Sequence, residues 1–230
     1  MTEIPLPQCA LCPFDWSERF CRKGKGKAPK GCPSLTMRDV GKDALSRTTS
    51  PQLGPFAKAA SLQEAACYTG REAGYEALHT VKPRIVEIVE FARRMGYTRL
   101  GLVFCVGLRK EAAVVHEILA TNGFEVASVS CKVGGVSKSV LGIEPADQVD
   151  PGAGHETMCN PVLQALVVNM AKTDFNVLLG LCVGHDSLFF KHAEAMGTVL
   201  AVKDRVLGHN PLAAIHQYDS YYRYLKKPLP

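Results

Sequence analysis

The chain has 230 residues, of which 47% are hydrophobic, and its formal net charge is +5. This length suits one large domain or a domain with a small appendage, and the hydrophobic content is that of a globular protein with a packed core. The apolar runs at residues 100–108 and 177–183 are too short to span a bilayer, and residues 1–8 lack the basic start of a signal peptide. We therefore expect a soluble, cytoplasmic protein that does not associate with membranes.

Nine cysteines are many for a chain of this size. Because their number is odd and no export signal precedes them, we do not expect a disulfide framework, since cytosolic thiols are kept reduced. Thiolates in a reducing compartment indicate metal binding or redox chemistry.

Four of these cysteines lie in the segment 1–35, which has no helical or strand periodicity. They are Cys9, Cys12, Cys21 and Cys32. A Cys-x-x-Cys pair brings two sulfurs to one ion from a tight turn, and two further thiolates complete a tetrahedron. We predict that the four bind one metal centre, either zinc or an iron–sulfur cluster. Cys32-Pro33 resembles the end of ferredoxin motifs, but the other spacings do not match them.

Basic residues are concentrated between Cys21 and Cys32. They are Arg22, Lys23, Lys25, Lys27 and Lys30. Their charge can offset the negative charge of a four-thiolate centre, which is the interpretation we favour. The alternative is a contact with RNA or with an acidic partner.

A polar connector is predicted over 39–55, followed by a helix over 56–68 that resumes over 72–79. From residue 83 onwards helices and strands alternate. Helices are predicted from 83, over 110–121, from 161, over 186–196 and over 211–222; strands are predicted over 99–104, 124–130, 175–181 and 198–202.

This alternation predicts a Rossmann-like α/β domain over residues 83–230, with a mainly parallel sheet and flanking helices. A cysteine-rich metal knuckle (1–35) and a connector with a helix (36–82) precede it. No GxGxxG motif follows the first strand, so the ordinary dinucleotide fingerprint is missing. The aperiodic stretch 136–153 is predicted to be a long loop, of the kind that often works as a lid.

Three of the predicted strands end in a cysteine with glycine close behind. These cysteines are Cys105, Cys131 and Cys182, and Cys159 directly precedes the Asn160 that begins the next helix. The carboxyl ends of parallel strands open onto one crevice, where such folds bind ligands. We predict that the four sulfurs share one site, and single cysteines from separate loops favour an iron–sulfur cluster there over zinc. The alternative is that each is an inert core thiol.

Three Gly-His pairs and two cations fall at the same predicted edge. The histidines are His155, His185 and His209, and Lys203 and Arg205 lie just past the fourth strand. We predict that His185, Lys203 and Arg205 bind or protonate a small-molecule substrate. The histidines could instead orient ligands, or merely fill polar loops.

The start Cys9-x-x-Cys12-Pro with Cys32-Pro33, followed by the stretches 100–107, 154–161, 181–186 and 202–211, resembles a family of uncharacterised prokaryotic proteins. That family is described as cysteine-rich and metal-binding, of unknown function. The resemblance runs along the whole chain. It implies metal binding through the amino-terminal cysteines and indicates no reaction.

Two functions remain open from the sequence. The first is a cytoplasmic iron–sulfur protein whose cluster, in the sheet crevice, performs redox or sulfur chemistry on a small molecule or with a redox partner. The second is a non-catalytic module whose zinc knuckle contacts RNA or protein. The strand-end cysteines separate the two, because the second function leaves them unexplained. The sequence does not decide whether the chain is an enzyme, and it names neither a substrate nor an oligomeric state.

Overall fold

The computed structural model describes residues 6–229. The chain divides into two compact units, Met1–Ala65 and Ala66–Pro230. The predicted division at residues 35 and 82 stays a prediction, and residues 1–5 of the predicted knuckle lie outside the described residues.

The described part of the amino-terminal unit, from residue 6 onwards, consists of short turns and four helices. The helices are α1 (Phe20–Lys23), α2 (Pro33–Thr36), α3 (Arg38–Thr48) and α4 (Gly54–Ala66). The prediction of a polar connector over 39–55 is wrong, because α3 occupies most of it, with an ion pair of 2.9 Å between Asp43 and Arg47 one turn apart. Among the described residues 6–65, only Ala59 and Gln63 are buried. This unit therefore contains almost no hydrophobic core of its own.

A small hairpin opens the second unit. Its strands β1 (Tyr68–Thr69) and β2 (His79–Thr80) pair antiparallel around two 3-10 turns, Arg71–Ala73 and Tyr75–Ala77. The prediction of a helix over 72–79 is wrong. Gly74 there has a φ of 95°, outside the helical region, and its position separates the two turns.

The rest of the second unit is the predicted α/β domain, and the Rossmann-like fold class is confirmed. Its strands are β3 (Arg99–Phe104), β4 (Glu125–Ser130), β5 (Phe175–Leu179) and β6 (Gly197–Ala201). Its helices are α5 (Arg84–Arg94), α6 (Arg109–Thr121), α7 (Pro161–Met170), α8 (His185–His192) and α9 (Leu212–His216). All strand pairs in this sheet are parallel, in the order β4-β3-β5-β6.

The strand order reverses between β3 and β5. From β3 the chain moves outward through α6 to β4, and it then returns through α7 to β5 on the other side of β3. In doubly wound sheets the ligand crevice lies outside the carboxyl ends of the two strands at such a switch point. The segments that follow β3 and β5, at Cys105 and Gly180–Cys182, therefore border the expected crevice.

The core on one face of the sheet is closed by α7 and α8. It contains Val103, Cys105, Val129, Cys131, Ala165, Val168, Leu178, Leu181 and Phe189. The apolar pattern of α7 predicts a buried face with Leu163, Leu166, Val167 and Met170. This prediction is wrong for Leu166 and Met170, which are 48% and 84% exposed, whereas Ala165 and Val168 are fully buried. Small side chains face the sheet here because α7 approaches β3 closely. A Cβ on Gly101 would lie 3.2 Å from Val168 Cγ1.

The connection from β4 to α7 is the predicted long loop. Residues 136–153 contain two 3-10 turns, Lys138–Leu141 and Pro145–Asp147, and no α-helix or strand. The loop closes on itself through a bridge between Ser137 and Thr157 and an ion pair between Lys138 and Glu156. Its role as a lid stays a prediction.

The last predicted helix is shorter than expected, since α9 ends at His216 and turns follow it as far as a 3-10 turn, Arg223–Lys226. Within residues 6–229, none of the helices combines the length and the apolar character needed to cross a membrane.

Candidate functional site at the carboxyl edge of the sheet

Two adjacent strands place Cys105 and Cys131 side by side. The parallel register pairs Phe104 of β3 with Ser130 of β4. The backbone N–H of Cys131 then donates to the carbonyl of Phe104 at 2.8 Å, which continues the ladder one step beyond the strands. Cys105 and Cys131 are 9% and 2% exposed and belong to the same buried cluster.

Cys159 reaches the same place from the end of the long loop. The N–H of Asn160 donates to the carbonyl of Cys131 at 2.8 Å, and the Asn160 side chain caps α7 by accepting from the N–H of Leu163 at 3.0 Å. This cap and Pro161 after it fix the start of the helix. As a result the sulfur of Cys159 lies 3.7 Å from that of Cys131.

The three sulfurs form a row with Cys131 in the middle. Cys131 and Cys159 share a hydrogen bond between their sulfurs. Cys105, which lies beside Cys131 across the strand register, acts on the ionisation of Cys131, and the charges of the two outer sulfurs act on one another. The backbone N–H of Val106 also donates to the Cys131 sulfur at 3.3 Å. We refer to Cys105, Cys131 and Cys159 as the thiol row.

The outer thiols ionise easily. The hydrogen bond from Cys131 is the largest cause that lowers the pKa of Cys105 to about 5, and the N–H of Gly107 and the Lys203 ammonium add to it against the effect of burial. The same kind of bond lowers the pKa of Cys159 to about 6, with help from the charges of Lys132 and His185. Hydrogen bonding to its two neighbours and burial raise the pKa of Cys131. Within the row, ionisation of the outer thiols is therefore favoured over ionisation of Cys131.

Lys203 is the cation closest to the switch point. A Cβ on Gly107 would lie 3.6 Å from Lys203 Nζ and 3.9 Å from the Cys105 sulfur, and a Cβ on Gly180 would lie 3.7 Å from the same Nζ. Gly107 therefore leaves room for a carbon atom beside this lysine and the Cys105 sulfur. Gly180 also has a φ of 68°, and a side chain there would collide with Leu108.

Cys182 stands apart from the thiol row. Its sulfur accepts a hydrogen bond of 3.1 Å from Arg205 Nη2. In the part of the chain between residues 6 and 229, no hydrogen bond joins Cys182 to the other three sulfurs. Of the four cysteines predicted for one site, the structure thus brings three together and pairs the fourth with a predicted substrate-binding cation.

The three predicted histidines have different surroundings. His185 begins α8 and its charge acts on Cys159. The Nδ1 atom of His209 accepts from the N–H of Asp204 at 3.1 Å, and His209 itself adopts a φ of 68°, so that it holds the turn after β6. His155 is exposed and lies near the Thr157 hydroxyl. His185 is therefore the histidine positioned to act at the thiol row.

Two residues at the site escaped the sequence analysis. Gln164, fully buried on α7, donates through Nε2 to the carbonyls of Phe104 at 3.2 Å and Val129 at 2.9 Å, and so ties the ends of β3 and β4 together. Lys132 donates to the carbonyl of Thr157 and helps to hold the loop that carries Cys159. A polar residue inside an apolar helix was the only signal for Gln164, and Lys132 gave none.

The amino-terminal cysteines surround a separate cavity. Cys9, Cys12, Cys21 and Cys32 all line a space of ≈ 760 Å³, together with Arg19 and Lys30. Arg19 holds the wall of this cavity by donating to the carbonyls of Phe14 at 2.7 Å and Cys12 at 3.3 Å. The first four thiols are thus near one another, around a space much larger than a single ion.

Neither cysteine group has the arrangement of a finished single-ion site. Among the described residues, no three His, Cys, Asp or Glu side chains are disposed to coordinate one metal ion. The predicted metal and cofactor ligands therefore stay predictions.

Fold and site together define a cysteine-rich α/β protein with a doubly wound parallel sheet. Residues 32–200 match a family described as a protein of unknown function, DUF1847, and the chain belongs to this family. It is similar to an uncharacterized protein of Methanocaldococcus jannaschii, with 41% identity over 190 residues, which cover 83% of this chain and 92% of the archaeal protein. The resemblance to an uncharacterised prokaryotic family is confirmed over these residues, and the metal binding that it implied stays a prediction. No solved structure matches the chain.

Proposed function

We propose that this protein carries out redox or sulfur chemistry on a small anionic molecule at the carboxyl edge of the sheet, with an outer thiolate of the thiol row as the reacting group. The observation that carries the proposal is the row itself: the sulfurs of Cys131 and Cys159 are 3.7 Å apart, and Cys105 lies next to Cys131 on the neighbouring strand, beside the topological switch point. A buried structural thiol needs only apolar neighbours, whereas these three interact with one another and with nearby cations.

Cys105 is the thiolate best placed to react. It follows β3 directly at the switch point, and Lys203 and the N–H of Gly107 stabilise its negative charge. A lowered pKa makes the nucleophilic form available at neutral pH. Gly107 has no side chain to cover this sulfur, since a Cβ there would lie 3.9 Å from it.

Lys203 and Arg205 would bind the charge of the substrate. In the described part of the chain, neither forms an ion pair with a carboxylate. Both follow β6, and Arg205 already hydrogen-bonds a sulfur at this edge. Cations without a carboxylate partner beside these sulfurs suit an anion, and His185 at the start of α8 could move a proton.

An iron–sulfur cluster does not fit the thiol row as it stands. A cluster is held by cysteine sulfurs attached to the outside of its irons, whereas the sulfurs of Cys131 and Cys159 are 3.7 Å apart and in contact. The contacts within the row would have to open before such a cluster entered. Metal and acid-labile sulfide analysis of anaerobically purified protein therefore tests the predicted cluster at this edge.

A matched pair of reagents tests the thiolate and the anion site together. Iodoacetate and iodoacetamide alkylate thiolates by the same chemistry, but only the first is negatively charged. We expect the ratio of alkylation by iodoacetate to alkylation by iodoacetamide to be higher at Cys105 than at the N-terminal cysteines. This ratio should fall in Lys203→Met and in Arg205→Met. Lys191→Met, an exposed lysine at the far end of α8, is the control. Equal preference in all four proteins, measured by peptide mass spectrometry, would contradict the proposal.

A second function, metal binding in the amino-terminal unit, is favoured by a separate observation. Four thiols line one cavity in a unit that has almost no hydrophobic core. Small units of this kind usually need a disulfide or a metal to fold. Cys9, Cys12, Cys21 and Cys32 would hold the centre; zinc would supply folding free energy there, and an iron–sulfur cluster would supply electron transfer. The alternative of a zinc module that contacts RNA or protein rests on the same cavity and does not account for the thiol row.

A further inference from the structure

We infer that the thiol row is a thiol–disulfide exchange relay, in which Cys131 is a shared resolving cysteine for Cys105 and Cys159 and the substrate is a low-molecular-weight anionic disulfide. This inference rests on the proposed function and specifies its reaction. It is drawn from the contacts, the strand register and the burial of the three cysteines.

The strand register makes a bond between Cys105 and Cys131 possible. The two residues follow the paired Phe104 and Ser130 in neighbouring parallel strands. Such strands lie about 4.8 Å apart, and disulfides join Cα atoms that are 4.4–6.8 Å apart. Both side chains are on the same face of the sheet, in one buried cluster.

A bond between Cys131 and Cys159 is also within reach. Their sulfurs are 3.7 Å apart, and the N–H of Asn160 anchors the Cys159 loop to the carbonyl of Cys131 at 2.8 Å. Closing the sulfurs to a disulfide length of about 2.0 Å requires side-chain rotation and a small shift of the loop end. Cys131 can therefore bond to either neighbour, but not to both at once.

Burial divides the roles among the three. Cys131 is 2% exposed, and Cys105 and the Val106 N–H cover its sulfur, so that a substrate in solution meets an outer thiol first. Cys159 is half-buried, and Cys105 borders the space left by Gly107. The middle sulfur is thus the one that attacks a mixed disulfide from inside the protein.

The exchange balances without a further oxidant. The Cys105 thiolate attacks one sulfur of R–S–S–R, the S–S bond breaks, and R–S⁻ leaves. The Cys131 thiol then loses its proton to that R–S⁻ and attacks the Cys105 sulfur, which expels the second R–S⁻. Cys105 and Cys131 are oxidised by two electrons to a disulfide, and R–S–S–R is reduced to R–SH and R–S⁻.

A last step moves the disulfide without any change in oxidation state. The Cys159 thiolate attacks the Cys131 sulfur and expels Cys105 as a thiolate. This step leaves a Cys131–Cys159 disulfide and a free thiolate at the switch point, ready for another molecule. The same steps in reverse would reduce the protein with a small dithiol.

Disulfide mapping of the full-length protein tests the relay. The protein is purified anaerobically, exposed to glutathione disulfide, quenched with an alkylating agent and digested for peptide mass spectrometry. We expect a transient glutathione adduct on Cys105 or Cys159, followed by a Cys105–Cys131 or a Cys131–Cys159 disulfide. In Cys131→Ser the adduct should persist at least about ten times longer, because no resolving thiol is present. Cys67→Ala, a cysteine outside both cysteine groups, should behave like the wild type.

The outcomes separate the relay from the proposed function. An adduct that lasts equally long in the wild type and in Cys131→Ser would overturn the relay, as would a wild-type disulfide that excludes Cys131. If charge-selective alkylation of Cys105 persisted in that case, the anion site and its thiolate would still stand. Because Cys131 is buried, Cys131→Ala serves as a second variant, and the wild-type disulfide map needs no variant at all.

Discussion

At the scale of single residues, Lys203 has the most direct effect on the candidate nucleophile. Its ammonium group helps to lower the pKa of Cys105 by stabilising the thiolate, in addition to the larger effect of Cys131. The lysine is half-buried, so that water screens this interaction only in part. The reactivity of Cys105 should therefore depend on a residue nearly a hundred positions away in the sequence.

We predict that Lys203→Met raises the pKa of Cys105 from about 5 by about one unit, the lower end of the shift caused by a nearby opposite charge. The lower pKa of the wild type makes Cys105 a thiolate at all pH values above about 5. In the variant the thiolate should appear only at higher pH. The measurement is the rate of Cys105 alkylation by iodoacetamide as a function of pH, followed by peptide mass spectrometry.

The control for this experiment is Lys191→Met, which removes the same charge from an exposed site at the end of α8. Its alkylation midpoint should coincide with that of the wild type. If the Lys203 variant also coincided with it, the contact between Lys203 and Cys105 would not govern ionisation.

At the scale of secondary-structure elements, the site depends on how closely α7 approaches the sheet. Gly101 in the middle of β3 permits this approach, since a Cβ there would lie 3.2 Å from Val168 Cγ1 on α7. The same Cβ would also come within 2.1 Å of Asn176 Oδ1 on β5. Asn176 is fully buried and its amide is fixed by hydrogen bonds with Thr173 at 2.9 Å and Ala195 at 3.2 Å. This side chain cannot move aside without losing both bonds.

We predict that Gly101→Ala lowers the free energy of unfolding by about 1–3 kcal/mol, the usual cost of overpacking a core. Gly152→Ala is the matched control, because an added Cβ in that exposed loop meets only Asp150 Oδ1 at 3.7 Å. The control should stay within about 0.5 kcal/mol of the wild type. Chemical denaturation measures both, and equal stability of the two variants would mean that the β3–β5 contact tolerates a methyl group.

A carboxylate at the opposite end of the sheet fixes the start of β3. The Asp174 carboxylate accepts hydrogen bonds from the backbone N–H of Thr98 at 2.7 Å and of Arg99 at 2.8 Å. The N–H of Arg99 and then that of Thr98 are the main causes that lower the pKa of Asp174. Two charge-assisted bonds thus join the strand starts of β3 and β5.

We predict that Asp174→Asn costs about 1–2 kcal/mol of stability at pH 7, from weaker hydrogen bonds to the two amides. Because the folded pKa lies below the unfolded value of about 3.9, the stabilisation by the carboxylate is complete above that value and is lost as the pH falls through the folded pKa. The gap between wild type and variant should therefore narrow below about pH 4. Denaturant titrations at several pH values measure this difference in unfolding free energy, and Asp147→Asn, at an exposed position, is the control. A difference that does not change with pH would show that the ionised Asp174 carboxylate is not its source.

At the scale of the whole molecule, the two units depend on different sources of stability. The sheet unit has a buried core between its strands and helices, with Val103, Leu178 and Phe189 at its centre. Among residues 6–65 only Ala59 and Gln63 are buried, and four thiols line the cavity. Burial of apolar surface therefore explains the folding of the second unit but not that of the first.

We predict that Cys12→Ser releases metal from the amino-terminal unit and disorders it, while the sheet unit stays folded. Metal content by elemental analysis and amide hydrogen exchange of the two units measure the effect. Cys67→Ala, a cysteine outside both cysteine groups, should keep the wild-type metal content. Unchanged metal content in the Cys12 variant would remove these four residues as ligands.

The sequence by itself determined much of the α/β unit. Alternating apolar runs and amphipathic helices are local patterns, so the parallel sheet, the long loop after β4 and the Asn160 helix start were predictable. The placing of Cys105 and Cys131 at one edge also followed, because strand ends in a parallel sheet share an edge. The predictions for residues 39–79 were partly wrong for two reasons. The helix α3 is polar and has no buried residue, and glycines with positive φ interrupt the stretch after α4.

Only the tertiary structure decided which side chains at the edge meet. The register of β3 on β4 and the anchoring of Asn160 to Cys131 bring three sulfurs together. Arg205, in the turn after β6, instead donates a hydrogen bond to the sulfur of Cys182. The sequence also did not indicate which face of α7 is buried. Because α7 lies close to Gly101, its smaller side chains Ala165 and Val168 face the sheet. The larger Leu166 and Met170 are exposed. Such choices depend on contacts between residues that are distant in sequence, and no local pattern records them.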